Sequence, residues 1–209
     1  MLTLVVATGN KGKITEIAAI LDGLDMLLKT PADFPGAPSP VEDGATYRDN
    51  ALIKARALRN FTGLPALADD TGLEVDALDG APGLHSARYA GPEQDAAKNR
   101  SRLLAALEGV PDARRGARFV CVIALALPGG RELTFDGACP GRITTAPRGD
   151  GGFGYDPVFF VPEYGVTMAE LDPAVKNRIS HRGRALDLLR SAFRDGTVPD
   201  RCLTSNGIL

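Results

Sequence analysis

The chain has 209 residues, 44% of them hydrophobic, and a formal net charge of −2. That is enough for one substantial core or two small ones, and it lacks the basic excess of a duplex-binding protein. Neither a basic segment leading into a cleavable apolar run nor an apolar run long enough to span a bilayer is present, so a soluble cytoplasmic protein is expected, with no membrane or polymeric nucleic acid as partner.

In chain order, Leu2, Leu4, Val5 and Val6 predict a buried strand, and Ile14, Ile17, Ala18 and Leu21 recur at helical spacing behind it. The turn between them, Thr8-Gly9-Asn10-Lys11-Gly12-Lys13, suits phosphate. Its glycines let backbone come close, helix N-terminal amides favour an anion, and Lys11 and Lys13 add positive charge. It is not a Walker A loop, because only Asn10 and Lys11 separate the glycines and Ile14, not a hydroxyl residue, follows Lys13. The alternative is an ordinary strand-to-helix turn with solvated lysines.

Pro31 to Pro40 reads as an irregular connection. Thr46 then caps a predicted helix to about Asn60, with Tyr47, Ala51, Ala55 and Leu58 on one face and Asn50 and Lys54 together on another. Ala66 to Ala68 predicts a short strand delivering Asp69-Asp70-Thr71-Gly72, and Leu73, Val75 and Ala77 alternate behind it, which puts the aspartates between two strands. Paired carboxylates at a strand end suit metal and proton-transfer work, with Asp70 the candidate; solvated turn formers are the alternative. Strand alternation would send the two to opposite faces unless the chain turns at Thr71-Gly72.

Asp79 to Gly91 is turn-rich, and Leu103, Leu104 and Leu107 mark a helix ending near Gly109. Phe119 to Leu127 and Glu132 to Phe135 predict an antiparallel hairpin through Pro128-Gly129-Gly130. A glycine cluster, Gly149 to Gly154, leads to Tyr155-Asp156-Pro157 and the apolar run Val158 to Val161. Asp172-Pro173 is a helix start, and Ala185, Leu188, Leu189 and Phe193 build a last helix closed near Gly196. The expected architecture is one mixed-sheet α/β domain over residues 1–209, with two lobes around a central cleft.

Gly151-Gly152-Phe153-Gly154-Tyr155-Asp156 offers aromatic faces, close-approach glycines and an acceptor, the composition for stacking a flat base and bonding its edge; a glycine-rich bend with core aromatics is the alternative. Ser180-His181-Arg182 brings a hydroxyl, an imidazole and a guanidinium to a helix start, for base or phosphate, or simply as a cap with solvated charges. Three scattered cysteines, Cys121, Cys139 and Cys202, and two histidines argue against a disulfide framework and against a thiolate or multi-histidine metal centre. A hard cation on carboxylates, magnesium first, remains.

Taken together, Thr8, Asn10 and Lys13, the stretch Asn50 to Ala55, the run Ala68 to Leu78, Phe153-Gly154-Tyr155-Asp156-Pro157 and Ser180-His181-Arg182-Gly183 closely resemble the inosine/xanthosine triphosphate pyrophosphatase family of Ham1 type. The likeness spans nearly the whole chain in the family's order. It implies magnesium-dependent hydrolysis of ITP, dITP and XTP at the α-phosphorus to monophosphate and pyrophosphate, by a homodimer. By that resemblance Thr8, Gly9, Asn10, Lys11, Gly12, Lys13 and Lys54 bind phosphate, and Glu42 and Asp70 meet the metal. Asp70 is the proton acceptor, and Thr71 contacts substrate. Phe153, Gly154, Tyr155, Asp156, Lys176, His181 and Arg182 form the base and sugar pocket. Asp43 is the alternative to Glu42. A guanidinium at Arg182 only donates, which favours a 6-keto purine over adenine. Rival readings are a Maf-type pyrophosphatase and a nucleotide-binding regulator without turnover.

Overall fold

Residues 1–198 are described by a computed structural model. In chain order the elements are strand β1 (Leu2–Val6), helix α1 (Lys11–Leu21), β2 (Met26–Lys29), α2 (Tyr47–Thr62), β3 (Ala66–Val75), β4 (Pro82–Gly83), α3 (Ala96–Ala106), β5 (Gly116–Ala126), β6 (Glu132–Ile143), β7 (Phe159–Val161), β8 (Val166–Thr167), α4 (Pro173–Ile179) and α5 (His181–Arg194). The strands form a mixed sheet in the order β2-β1-β3-β5-β6-β7-β8, with β4 on β3. β1 runs parallel to both β2 and β3, whereas β4 on β3, β7 on β6 and β8 on β7 are antiparallel. The mixed α/β class expected from the alternating strand and helix patterns is the class found.

The described residues divide into two compact units, one built from Met1–Asp70, Cys121–Asp136 and residues 182–198, the other from Thr71–Val120 and Gly137–His181. In the first, strand alternation sorts side chains onto two faces. Leu4, Val6, Leu67, Cys121, Ile123 and Leu125 pack with Ile17, Ile20 and Leu21 of α1 and Ala185, Leu186 and Leu189 of α5. Val5, Ala7, Ala66, Ala68, Val122, Ala124 and Ala126 pack with Ala51, Ala55 and Leu58 of α2. Alanine on both sides of that second layer leaves little side-chain bulk between α2 and the sheet, which keeps the helix's polar residues close to β3. Thr46 caps α2 reciprocally with Asp49, and Gly63, at φ 70°, ends it.

The second unit has its own core of Leu73, Val75, Leu103, Leu107, Phe119, Ile143, Val158, Phe159 and Ile179. Buried Arg115 is satisfied there by the carbonyls of Leu107, Ile143 and Thr144.

Three departures from expectation have physical causes. Ala66 to Val75 is a single strand, so Asp69 and Asp70 lie inside it and not between two strands; charge partners on neighbouring helices hold carboxylates that the residue types alone would send to a turn. β6 runs on to Ile143 through Gly137 and Pro140, residues that weaken a strand pattern. β2, β4 and β8 are four residues or fewer, too short for an alternation to register. Cys121 and Cys139 are free and buried; Cys202 lies outside the described residues.

Candidate active site

The first loop is organised by its own side chains. Asn10 caps α1 by accepting from the Lys13 amide at 3.1 Å, and Thr8 Oγ1 accepts from the Asn10 amide at 3.2 Å. Around Gly9 a Cβ would meet nothing within 4 Å, so the backbone there is open to approach. Lys11 is exposed and Gly12 lies within the first helical turn. Lys13 instead turns inward, its Nζ 3.0 Å from Asp69 Oδ2.

Because β3 does not break, its period of two sends the adjacent aspartates to different partners. Asp69 meets Lys13 of α1 and the Arg182 guanidinium of α5, whose Nε and Nη2 lie 3.2 and 2.9 Å from Asp69 Oδ2. Asp70 meets α2, with Lys54 Nζ 3.1 Å from Oδ1 and Asn50 Nδ2 3.4 Å from Oδ2. Lys54 Nζ also lies 2.7 Å from Glu42 Oε2. One ammonium thus joins the two carboxylates singled out for metal binding, while Asp43 is exposed.

Burial and neighbouring charges act on these groups in opposite directions. Burial opposes ionisation of Asp69, but Lys13, Arg182 and Lys54 outweigh it and hold the carboxyl far below the usual range. Burial likewise opposes the Lys54 ammonium, yet Asp70, Asp69 and Glu42 hold its proton more tightly than usual. At Asp70 burial prevails over Lys54 and raises the carboxyl.

Arg182 is only 2% exposed. Besides Asp69 it donates through Nη1 to Glu16 Oε2, so in this structure the guanidinium ties two carboxylates together. Glu16 itself was not singled out from the sequence. The available signal is its place on α1 one turn from Lys13 and beside the apolar stripe, where a lone carboxylate needs a buried cation.

In the second unit, Asp156 Oδ2 accepts from the Phe153 amide at 2.7 Å and from Lys176 Nζ at 2.6 Å, and that Nζ sits 4.8 Å from the Phe153 ring centroid. Gly152, at φ 68°, makes the turn possible, since a Cβ there would stand 2.2 Å from Asp156 Oδ2. Phe153, Asp156 and Lys176 are therefore gathered. Gly154 gives its carbonyl to Arg100, and Thr71 is half-buried. His181 is buried and stacks on Phe119 with centroids 4.6 Å apart. Tyr155 is a core residue whose hydroxyl donates to the Ser86 carbonyl at 2.8 Å.

Burial, with Tyr89 adding and Arg102 opposing, raises the Tyr155 phenol above its ordinary range. The folded state then holds this proton more tightly than the unfolded chain, so the associated stability is complete below about pH 10 and falls as pH rises further. Tyr155→Phe is expected to cost about 1 kcal/mol at pH 8 through the lost hydrogen bond. The deficit against wild type should shrink above about pH 10, as read by urea unfolding at each pH; a constant deficit would contradict the shift.

Among the described residues no three His, Cys, Asp or Glu side chains gather into a ready metal site, and no helix is long and apolar enough to cross a membrane.

The chain as a whole is similar to known proteins. A model of the Ham1 family matches residues 4–192. The chain is 58% identical over 190 residues to a protein of Geobacter sulfurreducens named dITP/XTP pyrophosphatase, covering 91% of this chain and 96% of that one. It is 55% identical over 185 residues to one of the same name from Desulforamulus reducens, covering 88% and 92%. The solved structure of a HAM1 protein from Coxiella burnetii superposes with a TM-score of 0.84 at 44% identity, over 93% of this chain and all of that one. The chain belongs to the Ham1 family.

Proposed function

We propose that this protein hydrolyses deaminated purine nucleoside triphosphates, ITP, dITP and XTP, to the monophosphate and pyrophosphate. The observation that carries the reading is the convergence of Lys54 on Asp70 and Glu42, beside Lys13 on Asp69, at the first loop. Two lysines held in place by carboxylates, next to the open backbone at Gly9, form a preorganised receptor for phosphate oxygens. Relatives that share more than half of their residues with this chain bear the name dITP/XTP pyrophosphatase, and the single family match runs through both compact units, which supports one functional domain.

In this reading Thr8 to Lys13 and Lys54 hold the triphosphate. Asp70 takes a proton from the water whose oxygen bonds to the α-phosphorus, while the bond from that phosphorus to the β-bridging oxygen breaks and pyrophosphate leaves. Lys13 and Lys54 balance charge as it spreads over the phosphate oxygens. Glu42 and Asp70 are hard oxygen donors that meet the same Lys54 ammonium, a pair that would hold magnesium. Such an ion would supply Lewis-acid charge neutralisation. For the purine, the Phe153 ring offers a stacking face and Lys176 a donor, with Thr71, Gly154, Tyr155 and His181 in supporting positions. Arg182, whose guanidinium only donates, is the residue this reading assigns to a 6-keto oxygen. Assembly as a homodimer belongs to the same proposal and is read directly by sedimentation equilibrium.

The test is a panel of ITP, XTP, GTP, ATP and dTTP with magnesium, scoring pyrophosphate and orthophosphate separately. Pyrophosphate in step with monophosphate, from ITP and XTP well ahead of ATP, is expected. Orthophosphate as product, or tight binding without turnover, would replace the proposal with a phosphatase or a regulator.

A further inference from the structure

Asn50 lies in the first turn of α2, 3% exposed, and its side chain faces two ways. Its Oδ1 accepts from the Gly44 amide at 2.8 Å, and its Nδ2 donates to Asp70 Oδ2 at 3.4 Å. Gly44 rests directly on the helix. A Cβ there would stand 2.6 Å from Asp49 Cβ and 3.0 Å from the Asn50 backbone nitrogen, so no side chain fits between this loop and α2. Glu42, two residues earlier, is thereby delivered to Lys54, one helical turn beyond Asn50.

We propose that Asn50 is a positioning residue that clasps the loop Val41–Gly44 to helix α2 and to Asp70, setting the separation of the Glu42 and Asp70 carboxylates. Lys54 cannot set it alone, because its flexible stem follows either acid. Asn50 is short and buried, and it is an acceptor on one side and a donor on the other. Aspartate in its place keeps the acceptor but turns a second carboxylate on Asp70, and alanine removes both bonds. The inference rests on the proposed pyrophosphatase reading, in which Glu42 and Asp70 act as a pair.

The test uses the full chain as wild type, Asn50→Ala, Asn50→Asp and, as a folding control at a buried apolar position two turns further along the same helix, Leu58→Ala. Two readouts are needed: hydrogen exchange of the Gly44 amide in metal-free protein, and kcat, KM for ITP and the magnesium concentration for half-activation. In Asn50→Ala, Gly44 protection is expected to vanish, kcat to fall about 10- to 100-fold and half-activation to need about 10-fold more magnesium, with KM nearly unchanged. Asn50→Asp should retain Gly44 protection and still lose kcat. Leu58→Ala, measured per folded molecule, should match wild type. Loss of Gly44 protection with kcat and magnesium response intact would make the clasp merely structural and overturn the inference, leaving the activity standing. A wild type that does not hydrolyse ITP would overturn the activity and the inference together.

Discussion

Asp70→Asn is expected to lower kcat for ITP by about 100- to 10,000-fold while leaving nucleotide affinity within a few-fold of wild type. The amide is nearly isosteric and still accepts from Lys54, which lies 3.1 Å from Oδ1. What it lacks is negative charge and basicity, so it neither takes the proton of an attacking water nor helps Glu42 hold a cation. Lys13 keeps its ion pair with Asp69, on the other side of β3. Phosphate binding should therefore survive where turnover does not. Single-turnover kinetics beside equilibrium titration of a non-hydrolysable triphosphate separates the two. Near-normal turnover would remove Asp70 from the chemistry, and a parallel loss of affinity would recast it as a binding residue.

Arg182→Ala is expected to cost about 3–5 kcal/mol of folding stability, a large part of the roughly 5–15 kcal/mol typical of a folded domain. Removing the guanidinium strands Asp69 and Glu16, 1% and 9% exposed, without the cation both share. Asp69 would keep Lys13, so the lysine's position should loosen but not vanish. Arg182→Lys retains the charge and loses the forked geometry, and is expected to fall between alanine and wild type. Urea denaturation of the three proteins reads this directly. A loss below about 1 kcal/mol for alanine, the scale of an exposed pair, would mean that the buried triad contributes little. Where the alanine variant remains folded, a relaxed preference for ITP over ATP is expected as well.

Much of the scaffold was legible from residue types alone because it rests on local rules. β1 and α1 follow from apolar spacing, α2 from Thr46 and its two faces, α4 from Asp172 before Pro173, and α5 from Ala185, Leu188, Leu189 and Phe193. The pairing of Asn50 with Lys54 on one face of α2 is likewise a consequence of helical period, and both reach Asp70. The phosphate-suited loop could be read for the same reason, since a glycine-bearing cationic turn between strand and helix is a local pattern.

What the sequence by itself determined is therefore the set of elements, the mixed α/β class, the candidate residues and the family they resemble. Only the tertiary structure decided how the charges pair. Asp69 and Asp70 are neighbours in the chain, yet an unbroken strand divides them, one to Lys13 and Arg182 and the other to Lys54 and Asn50. Arg182 closes on Glu16 across 166 positions of sequence, and no local period carries such a partnership. A buried charge takes whichever opposite charge the packing of α1, α5 and β3 brings within reach, because leaving it alone in a low-dielectric interior costs more than any local preference can offset.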